Sequence, residues 1–111
     1  MNITTKYRMA GIPIAVFLAS AFLLSTHAKA DAAAAEATYK SKCAGCHGAD
    51  GKGKAALKTQ DFASAAVQNM SDAELTAIIT DGKGKMPAYG KSLKPDQVKD
   101  LVAYIRSFGK K

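Results

Sequence analysis

The chain has 111 residues, a length that suits one small domain. Its 16 lysines and arginines outnumber its 9 aspartates and glutamates, which gives a formal charge of +7. The basic residues are spread along the chain, a distribution that suits acidic protein partners and argues against nucleic acid, which usually needs a denser basic patch.

The first 30 residues have the pattern of a cleaved secretory signal peptide. Lys6 and Arg8 form a basic start, Gly11–Ser25 is apolar and uncharged, and Ala28-Lys29-Ala30 provides a cleavage site. The apolar run is shorter than the ~20 residues that a membrane-spanning helix needs, so a retained N-terminal anchor is the weaker alternative. We therefore predict export to the periplasm, with no membrane insertion after cleavage.

Cleavage would leave a domain of residues 31–111 with a formal charge of +4, because three basic residues leave with the signal. A domain of this size is marginal on its own hydrophobic core and usually needs a disulfide, a metal or a buried cofactor. Its two cysteines, Cys43 and Cys46, could close only a four-residue ring, which restricts the unfolded chain little. The composition therefore indicates a cofactor.

The mature chain shows helical spacing and no strand-like alternation of apolar and polar residues, which predicts an all-α fold. The alanine-rich stretch Ala32–Lys42 favours a helix. A glycine-rich loop is expected over Gly45–Gly53, and a short helix over Asp61–Gln68. The apolar side of that short helix contains Phe62, Ala65 and Ala66.

The clearest helix signal begins at Met70. Ser71 and Glu74 are three residues apart and predict a capping box, while Met70 and Leu75 stand at the positions of a hydrophobic staple. Leu75 also opens an apolar stripe at helical spacing, and Gly82 predicts the end of the helix.

The last helix is predicted to begin at Pro95 and to end at Gly109. Its apolar positions recur at helical spacing and are Val98, Leu101, Val102 and Ile105. Lys94 would be its N-cap and has no acceptor oxygen, so this cap is expected to be weak. The mature chain is therefore predicted to contain three main helices and one short helix.

The five-residue segment DGKGK occurs twice, at residues 50–54 and 81–85. Five residues are too few to establish a structural repeat. The segment is typical of turns, in which glycines adopt positive φ and lysines are solvated.

The stretch Cys43-Ala-Gly-Cys46-His47 allows several kinds of site. A phosphate-binding loop would need a preceding strand and a Ser or Thr after Lys54, where Ala55 stands. A thioredoxin-like thiol pair would need a strand in a βαβ unit. A zinc site usually needs four ligands, whereas the mature chain offers three Cys and His residues. A simple disulfide would leave His47 without a role.

C-x-x-C-H is also the attachment pattern of c-type haem. Cys43 and Cys46 would each form a thioether with one haem vinyl group, and His47 would ligate the iron from one side. This attachment is made outside the cytoplasm, in agreement with the predicted signal peptide. In an exported chain without another Cys or His, the motif favours one covalently bound haem c.

The opposite face of the iron requires a second ligand or remains open to small molecules. Met/His ligation is the arrangement of electron-carrying cytochromes c. Met70 already has a structural role as a staple residue, whereas Met86 lies in a glycine-bounded loop and Pro87 restrains its backbone. Met86 is therefore the predicted ligand, and an ordinary apolar side chain is the alternative.

The CAGCH motif, the later segment KMPAYG and the final helix DLVAYIRSF together resemble the small bacterial class I cytochromes c. The resemblance covers residues 31–111 and implies helices wrapped around one haem. It also implies that the N-terminal and C-terminal helices cross, with Tyr39 against Tyr104 and Leu101 in the core of the crossing.

Many members of that family carry a proline in the loop after the motif, near a carbonyl that accepts the other N–H of the ligating histidine. Residues 55–62 contain no proline. An acceptor for His47 is still expected, since such a bond fixes the ring and tunes the ligand.

With both axial positions filled, the protein would be a monomeric one-electron carrier and not an enzyme. Lys52, Lys54, Lys83 and Lys85 flank the two ligand loops and are expected to steer acidic donor and acceptor proteins. The alternative function is a haem sensor or a haem-enzyme subunit with a displaceable sixth ligand. A dedicated subunit of a larger redox complex is a further possibility.

Overall fold

A computed structural model describes residues 31–111; the predicted signal peptide, residues 1–30, lies outside them. The helices, in chain order, are α1 (31–42), α2 (Ala44–His47), a 3₁₀ turn (Ala55–Leu57), α3 (Ala65–Gln68), α4 (Asp72–Asp81) and α5 (Pro95–Phe108). Within residues 31–111 the only β pairing is an isolated bridge between Lys83 and Met86. The all-α prediction and its three main helices are confirmed.

Helices α1 and α5 meet through their aromatic side chains, as the resemblance implied. The ring centroids of Tyr39 and Tyr104 are 5.1 Å apart, and those of Tyr39 and Phe108 are 5.5 Å apart. Tyr39 is 1% exposed and Leu101 is 2% exposed. This crossing is therefore the most deeply buried part of the described domain.

Helix α4 begins at the predicted capping box. The Glu74 N–H donates to Ser71 Oγ at 3.1 Å, and the Ser71 N–H donates to Glu74 Oε2 at 2.7 Å. Leu75 and Ile79 are buried, and the helix ends at Gly82. Helix α4 packs against α5, so the capping box holds one wall of the core.

Helix α5 begins at Pro95, with Gly109 at its C-terminal cap, as predicted. The Lys94 side chain offers no cap, and the Lys94 N–H donates to Gln97 Oε1 at 2.9 Å. The helix carries the guanidinium of Arg106, which donates to the carbonyls of Gln68 and Met70 and to the carboxylate of Asp72. These bonds tie α5 to the connection between α3 and α4.

The predicted loop at Gly45 begins later than expected. Gly45 lies within α2, and the chain leaves the helix at Gly48, whose φ is +82°. Cys43 forms the junction between α1 and α2: its N–H donates to the Tyr39 carbonyl at 2.8 Å, and its carbonyl accepts from His47 N–H at 2.9 Å. The two helices therefore form an almost continuous hydrogen-bonded ladder that delivers the C-x-x-C-H motif.

The predicted helix over Asp61–Gln68 is wrong in its first half. Asp61 Oδ1 accepts from the Ala63 N–H at 2.8 Å and stabilises a turn, and Ser64 is the N-cap from which α3 starts. Ala65 and Ala66, expected on the apolar side, are exposed. The side-chain oxygens of Asp61 and Ser64 compete with helix formation upstream, which explains the late start.

Candidate functional site

Three of the four predicted site residues meet in an apolar pocket enclosed by α1, α2, α4, α5 and the loops between them. The pocket is lined by Tyr39, Cys43, His47, Phe62, Ile79, Met86, Tyr89, Leu93, Leu101 and Ile105. The imidazole of His47, the thiol of Cys43 and the thioether of Met86 are thus brought together from positions far apart in the sequence. Cys46 is exposed and does not line the pocket.

The imidazole of His47 is held at the end of α2 in a largely apolar environment. Burial lowers the pKa of His47, which favours the neutral ring that can ligate a metal. Its Nδ1 atom is buried and has no hydrogen-bond partner among residues 31–111. The acceptor expected for this nitrogen is therefore not found among the protein groups of residues 31–111, and it stays a prediction.

The two cysteines are free in the described structure. Burial raises the pKa of the Cys43 thiol, and the neighbouring Cys46 adds to that effect against the opposing charge of Lys42. Catalytic thiol pairs depend instead on a lowered pKa. The environment of Cys43 therefore does not suit a thiol-exchange centre.

A zinc-type cluster is not found in residues 31–111, where no group of three or more His, Cys, Asp and Glu side chains could hold a metal ion. The only histidine in that range is His47. The pocket instead combines one nitrogen and one thioether donor with an aliphatic and aromatic lining.

Met86 is presented by a tight turn between α4 and α5. The Lys83 N–H donates to the Met86 carbonyl at 3.1 Å, and the Met86 N–H donates to the Lys83 carbonyl at 3.0 Å. Gly82 lies beneath this turn with φ +76°, and a Cβ added there would be 2.6 Å from Met86 O. Met70 packs against the core but does not line the pocket.

Tyr89 anchors the far end of the Met86 turn. Its N–H donates to the Ile79 carbonyl at 2.9 Å, and its hydroxyl donates to the Lys42 carbonyl at 3.1 Å. These bonds connect the turn to α4 and to the end of α1, next to Cys43. The position of Met86 relative to the C-x-x-C-H motif is therefore set by direct contacts between their supporting segments.

The loop after His47 folds back onto the carbonyl groups of α2. The Gly53 N–H donates to the His47 carbonyl at 2.8 Å, Thr59 Oγ1 donates to the Cys46 carbonyl at 2.8 Å, and Lys54 Nζ donates to the Gly45 carbonyl at 2.7 Å. Helix carbonyls at a C-terminus otherwise lack intrahelical partners. These three bonds fix the end of α2 and hence the backbone of His47.

Two aromatic side chains that line the pocket, Tyr89 and Phe62, were not predicted as site residues. Tyr89 could have been found, because an aromatic residue three positions after Met86 lies on the same short loop. Phe62 was assigned to a short helix, whereas its ring stacks on His47 with centroids 4.6 Å apart and planes 25° apart. No local pattern identifies Phe62, since its position depends on packing against α1 and α5.

The donor set and the apolar character of the lining fit a haem. A haem of this type needs apolar surroundings with a nitrogen and a sulfur ligand for its iron, and it needs thiols for covalent attachment. His47, Met86 and Cys43 supply those groups, and every other lining residue is aliphatic or aromatic.

Comparisons with known proteins agree with this fit. A family model described as "Cytochrome C oxidase, cbb3-type, subunit III" matches residues 30–105. A cytochrome c6 of Aphanizomenon flos-aquae is 36% identical over 77 residues, covering 68% of this chain and 88% of that protein. The cbb3-type cytochrome c oxidase subunit FixP of Azorhizobium caulinodans is 34% identical over 73 residues, covering 64% of this chain and 25% of that subunit.

Among solved structures, the KustC0563 c-type cytochrome matches with a TM-score of 0.61 and 32% identity. The match covers 66% of this chain and 94% of that one. The chain therefore belongs to the small class I c-type cytochromes, electron carriers rather than enzymes, whose cofactor is covalently bound haem c.

Proposed function

We propose that this protein is an exported mono-haem carrier that passes single electrons between redox proteins. In this proposal Cys43 and Cys46 hold the haem by thioether bonds, and His47 and Met86 are the axial ligands of its iron. The observation that carries the proposal is that His47, Met86 and Cys43 line one apolar pocket.

The haem supplies a one-electron change in the oxidation state of its iron. The chain contributes the ligands, excludes water with the pocket lining and leaves no axial position for a substrate. Because α2 and the Met86 turn are each fixed by backbone hydrogen bonds, the two ligands need little movement when the iron changes oxidation state. A small reorganisation suits rapid electron transfer.

Export is part of the proposal. We propose that residues 1–30 are removed as a signal peptide and that residues 31–111 form the periplasmic domain. The family match begins at residue 30, next to the predicted cleavage site, and so supports this boundary. Within residues 31–111, no helix has both the length and the apolar character required to cross a bilayer.

The proposed docking face surrounds the two ligand loops. Lys52 and Lys54 in the first loop and Lys83 and Lys85 in the second are exposed. Lys54 Nζ also donates to the Gly45 carbonyl, so its charge lies close to the C-x-x-C-H motif. We expect the four lysines to steer the monomer towards acidic partners, and electron-transfer rates that do not fall with added salt would contradict this docking face.

The decisive test of the proposed function is to measure the intact mass and the absorption spectra of the mature protein, expressed with haem-maturation machinery. Its intact mass should equal the chain from residue 31 plus one haem, and its spectra should show low-spin iron in both oxidation states. Cys43→Ala and Cys46→Ala should each lose one thioether link. A colourless protein of the unmodified mass would contradict the proposal.

A displaceable sixth ligand would indicate a haem sensor or a haem-enzyme subunit. The same preparation tests this alternative, because a reduced protein with an open iron face binds carbon monoxide readily at neutral pH. The proposed Met86 ligation predicts that carbon monoxide leaves the spectrum of the reduced protein nearly unchanged. Rapid and complete binding would favour the sensor function.

A second candidate function is that of a haem subunit in a larger oxidase. It is favoured by the description of the matching family and by the FixP relative, of which this chain spans a quarter. Purification of the tagged native protein distinguishes the two functions, because they predict different co-purifying proteins. A free carrier should be recovered as a monomer in the soluble periplasmic fraction, whereas a subunit should purify in stoichiometric amounts with detergent-solubilised oxidase.

A further inference from the structure

We propose that the hydroxyl of Tyr89 keeps Met86 on the haem iron and thereby closes the sixth coordination position to outside ligands. Tyr89 is a positioning residue, because it acts on the iron through Met86. The inference rests on the proposed function, in which Met86 is an axial ligand, and it names the group that controls how often this ligand leaves.

The site is assembled from two parts of the chain. Residues 31–62 carry the C-x-x-C-H motif, and residues 72–94 carry Met86. Among the residues that the structure describes, one direct hydrogen bond joins these two parts, in which the Tyr89 hydroxyl donates to the Lys42 carbonyl at 3.1 Å. This bond is therefore the polar link between the motif and the Met86 turn.

The acceptor of the bond is a carbonyl at the junction of α1 and α2. In a continuous α-helix the N–H of residue 46 would donate to the carbonyl of residue 42. Here the Cys46 N–H donates to the Cys43 carbonyl at 3.2 Å, and the Tyr89 hydroxyl donates to the Lys42 carbonyl. Because Lys42 directly precedes Cys43, the bond attaches Tyr89 to the backbone at the first cysteine of the motif.

The backbone of Tyr89 is fixed, so its side chain has a firm base. The Tyr89 N–H donates to the Ile79 carbonyl at 2.9 Å, and the Tyr89 carbonyl accepts from the Leu93 N–H at 2.9 Å. The next residue, Gly90, donates its N–H to the Thr80 carbonyl at 3.0 Å. A Cβ added at Gly90 would lie 2.7 Å from Thr80 Cγ2, so this segment lies directly against the last turn of α4.

Met86 has no comparable attachment of its own to residues 31–62. Its N–H and carbonyl bond to the carbonyl and N–H of Lys83 at 3.0 Å and 3.1 Å, and both bonds stay within the turn. They shape the turn without fixing it relative to the motif. Because only Pro87 and Ala88 separate Met86 from Tyr89, loss of the hydroxyl bond frees the turn to move away from the motif.

The hydroxyl bond thereby sets the fraction of molecules in which Met86 has left the iron. Loss of one hydrogen bond of typical net strength should raise this opened fraction about fivefold. The Tyr89 ring packs against the core and lines the pocket, and Tyr89→Phe keeps that ring. The substitution therefore tests the hydroxyl separately from the apolar packing.

The test uses the oxidised holo-protein with imidazole as the probe. At low imidazole concentration, the rate at which imidazole replaces Met86 is proportional to the opened fraction, and loss of the Met–iron absorption band follows the replacement. We expect Tyr89→Phe to react about fivefold faster than the parent. A rate equal to that of the parent would overturn the inference alone. A parent protein without the Met–iron band would overturn the proposed ligation, and this inference with it.

Ser71→Ala is the control for a general loss of stability. It removes the Ser71 Oγ that accepts from the Glu74 N–H at 3.1 Å, at the end of α4 far from the Met86 turn. We expect a lower Tm in both variants and an unchanged imidazole rate in Ser71→Ala. Equal acceleration in both would overturn the inference.

Should Tyr89→Phe not fold, the unmodified reduced holo-protein decides. Its nuclear Overhauser spectrum should contain cross-peaks between the Tyr89 ring protons and the α proton of Cys43, since the Tyr89 hydroxyl lies on the Lys42 carbonyl. Absence of these cross-peaks would overturn the inference.

Discussion

The two DGKGK segments have the same sequence and different surroundings. In residues 50–54, Gly51 is buried, and a Cβ added there would be 2.9 Å from the Phe108 ring. In residues 81–85, Gly84 faces open space, with nothing within 4 Å of an added Cβ. The first segment is therefore packed into the domain, and the second is a turn that presents Met86.

The backbone of the two segments is nevertheless alike. Gly51, Gly53, Gly82 and Gly84 have φ of +70°, +79°, +76° and +57°. The prediction of glycine turns with positive φ is confirmed for both. The comparison shows that a short repeat specifies its own turn geometry, while the neighbours of each copy decide how much that geometry contributes to stability or to function.

The largest effect is expected from Gly53→Ala in the packed segment. An added Cβ would collide with the Thr59 carbonyl oxygen and lie 2.9 Å from the Gln60 carbonyl oxygen, at a φ that L residues rarely adopt. Strain and overpacking together should cost about 4 kcal/mol. Urea unfolding of the holo-protein measures this cost, and a loss below that of Gly84→Ala would contradict the assignment of residues 50–54 as the packed copy.

Gly82→Ala should act on the ligand more than on the fold. The added Cβ would lie 2.6 Å from Met86 O and 3.0 Å from Ala88 N, so relief of this clash has to displace the Met86 turn. We expect a loss of about 2 kcal/mol together with a weakened Met–iron absorption band. The band is measured in the oxidised protein near neutral pH. Unchanged absorption despite lost stability would show that the turn does not control Met86.

Tyr39 tests the contact between α1 and the residues that lead into the first segment. Its hydroxyl donates to the Gly48 carbonyl at 2.7 Å, so Tyr39→Phe should cost about 1 kcal/mol at neutral pH. Burial raises the pKa of Tyr39 from 10.0 to about 12. The pKa of this hydroxyl is higher in the folded than in the unfolded protein. Its contribution to the free energy of unfolding is therefore complete below about pH 10 and is lost as the pH rises through about 12. Unfolding free energies measured across that range should therefore fall more steeply in the parent than in Tyr39→Phe; parallel curves would argue against the buried hydroxyl.

The smallest effect is expected from Gly84→Ala. Its φ of +57° disfavours alanine, but no atom lies in the way, and alanine restricts the unfolded chain more than glycine does. The two effects nearly cancel, so the net loss should be about 0.5 kcal/mol with an unchanged spectrum. A loss as large as that of Gly53→Ala would remove the distinction between the two segments.

The parts of the site that depend on local spacing could be predicted from the sequence. The C-x-x-C-H motif, the capping box of Ser71 and Glu74, and the start of α5 at Pro95 are all defined within a few residues. Met86 was distinguished from Met70 as a candidate ligand because each stands in a recognisable local context. The ligand roles themselves remain proposals.

The parts that depend on tertiary packing could not be predicted. Phe62 lies against His47 because α1, α3 and α5 enclose it, and no window of sequence contains those contacts. The expected acceptor for Nδ1 came from the family resemblance, and it is not found among the protein groups of residues 31–111. The start of α3 was placed too early, because the turn held by Asp61 outweighs the apolar spacing that suggested a helix.

The central claim is that Met86, and not Met70, completes the coordination of the haem iron. The direct measurement compares the oxidised absorption spectra of Met86→Ala and Met70→Ala with that of the parent. We predict that Met86→Ala loses the Met–iron band and binds carbon monoxide when reduced. Met70→Ala, which removes a half-buried side chain outside the pocket, should keep the band and lose about 2 kcal/mol of stability. A parental spectrum in Met86→Ala, or a lost band in Met70→Ala, would contradict the account.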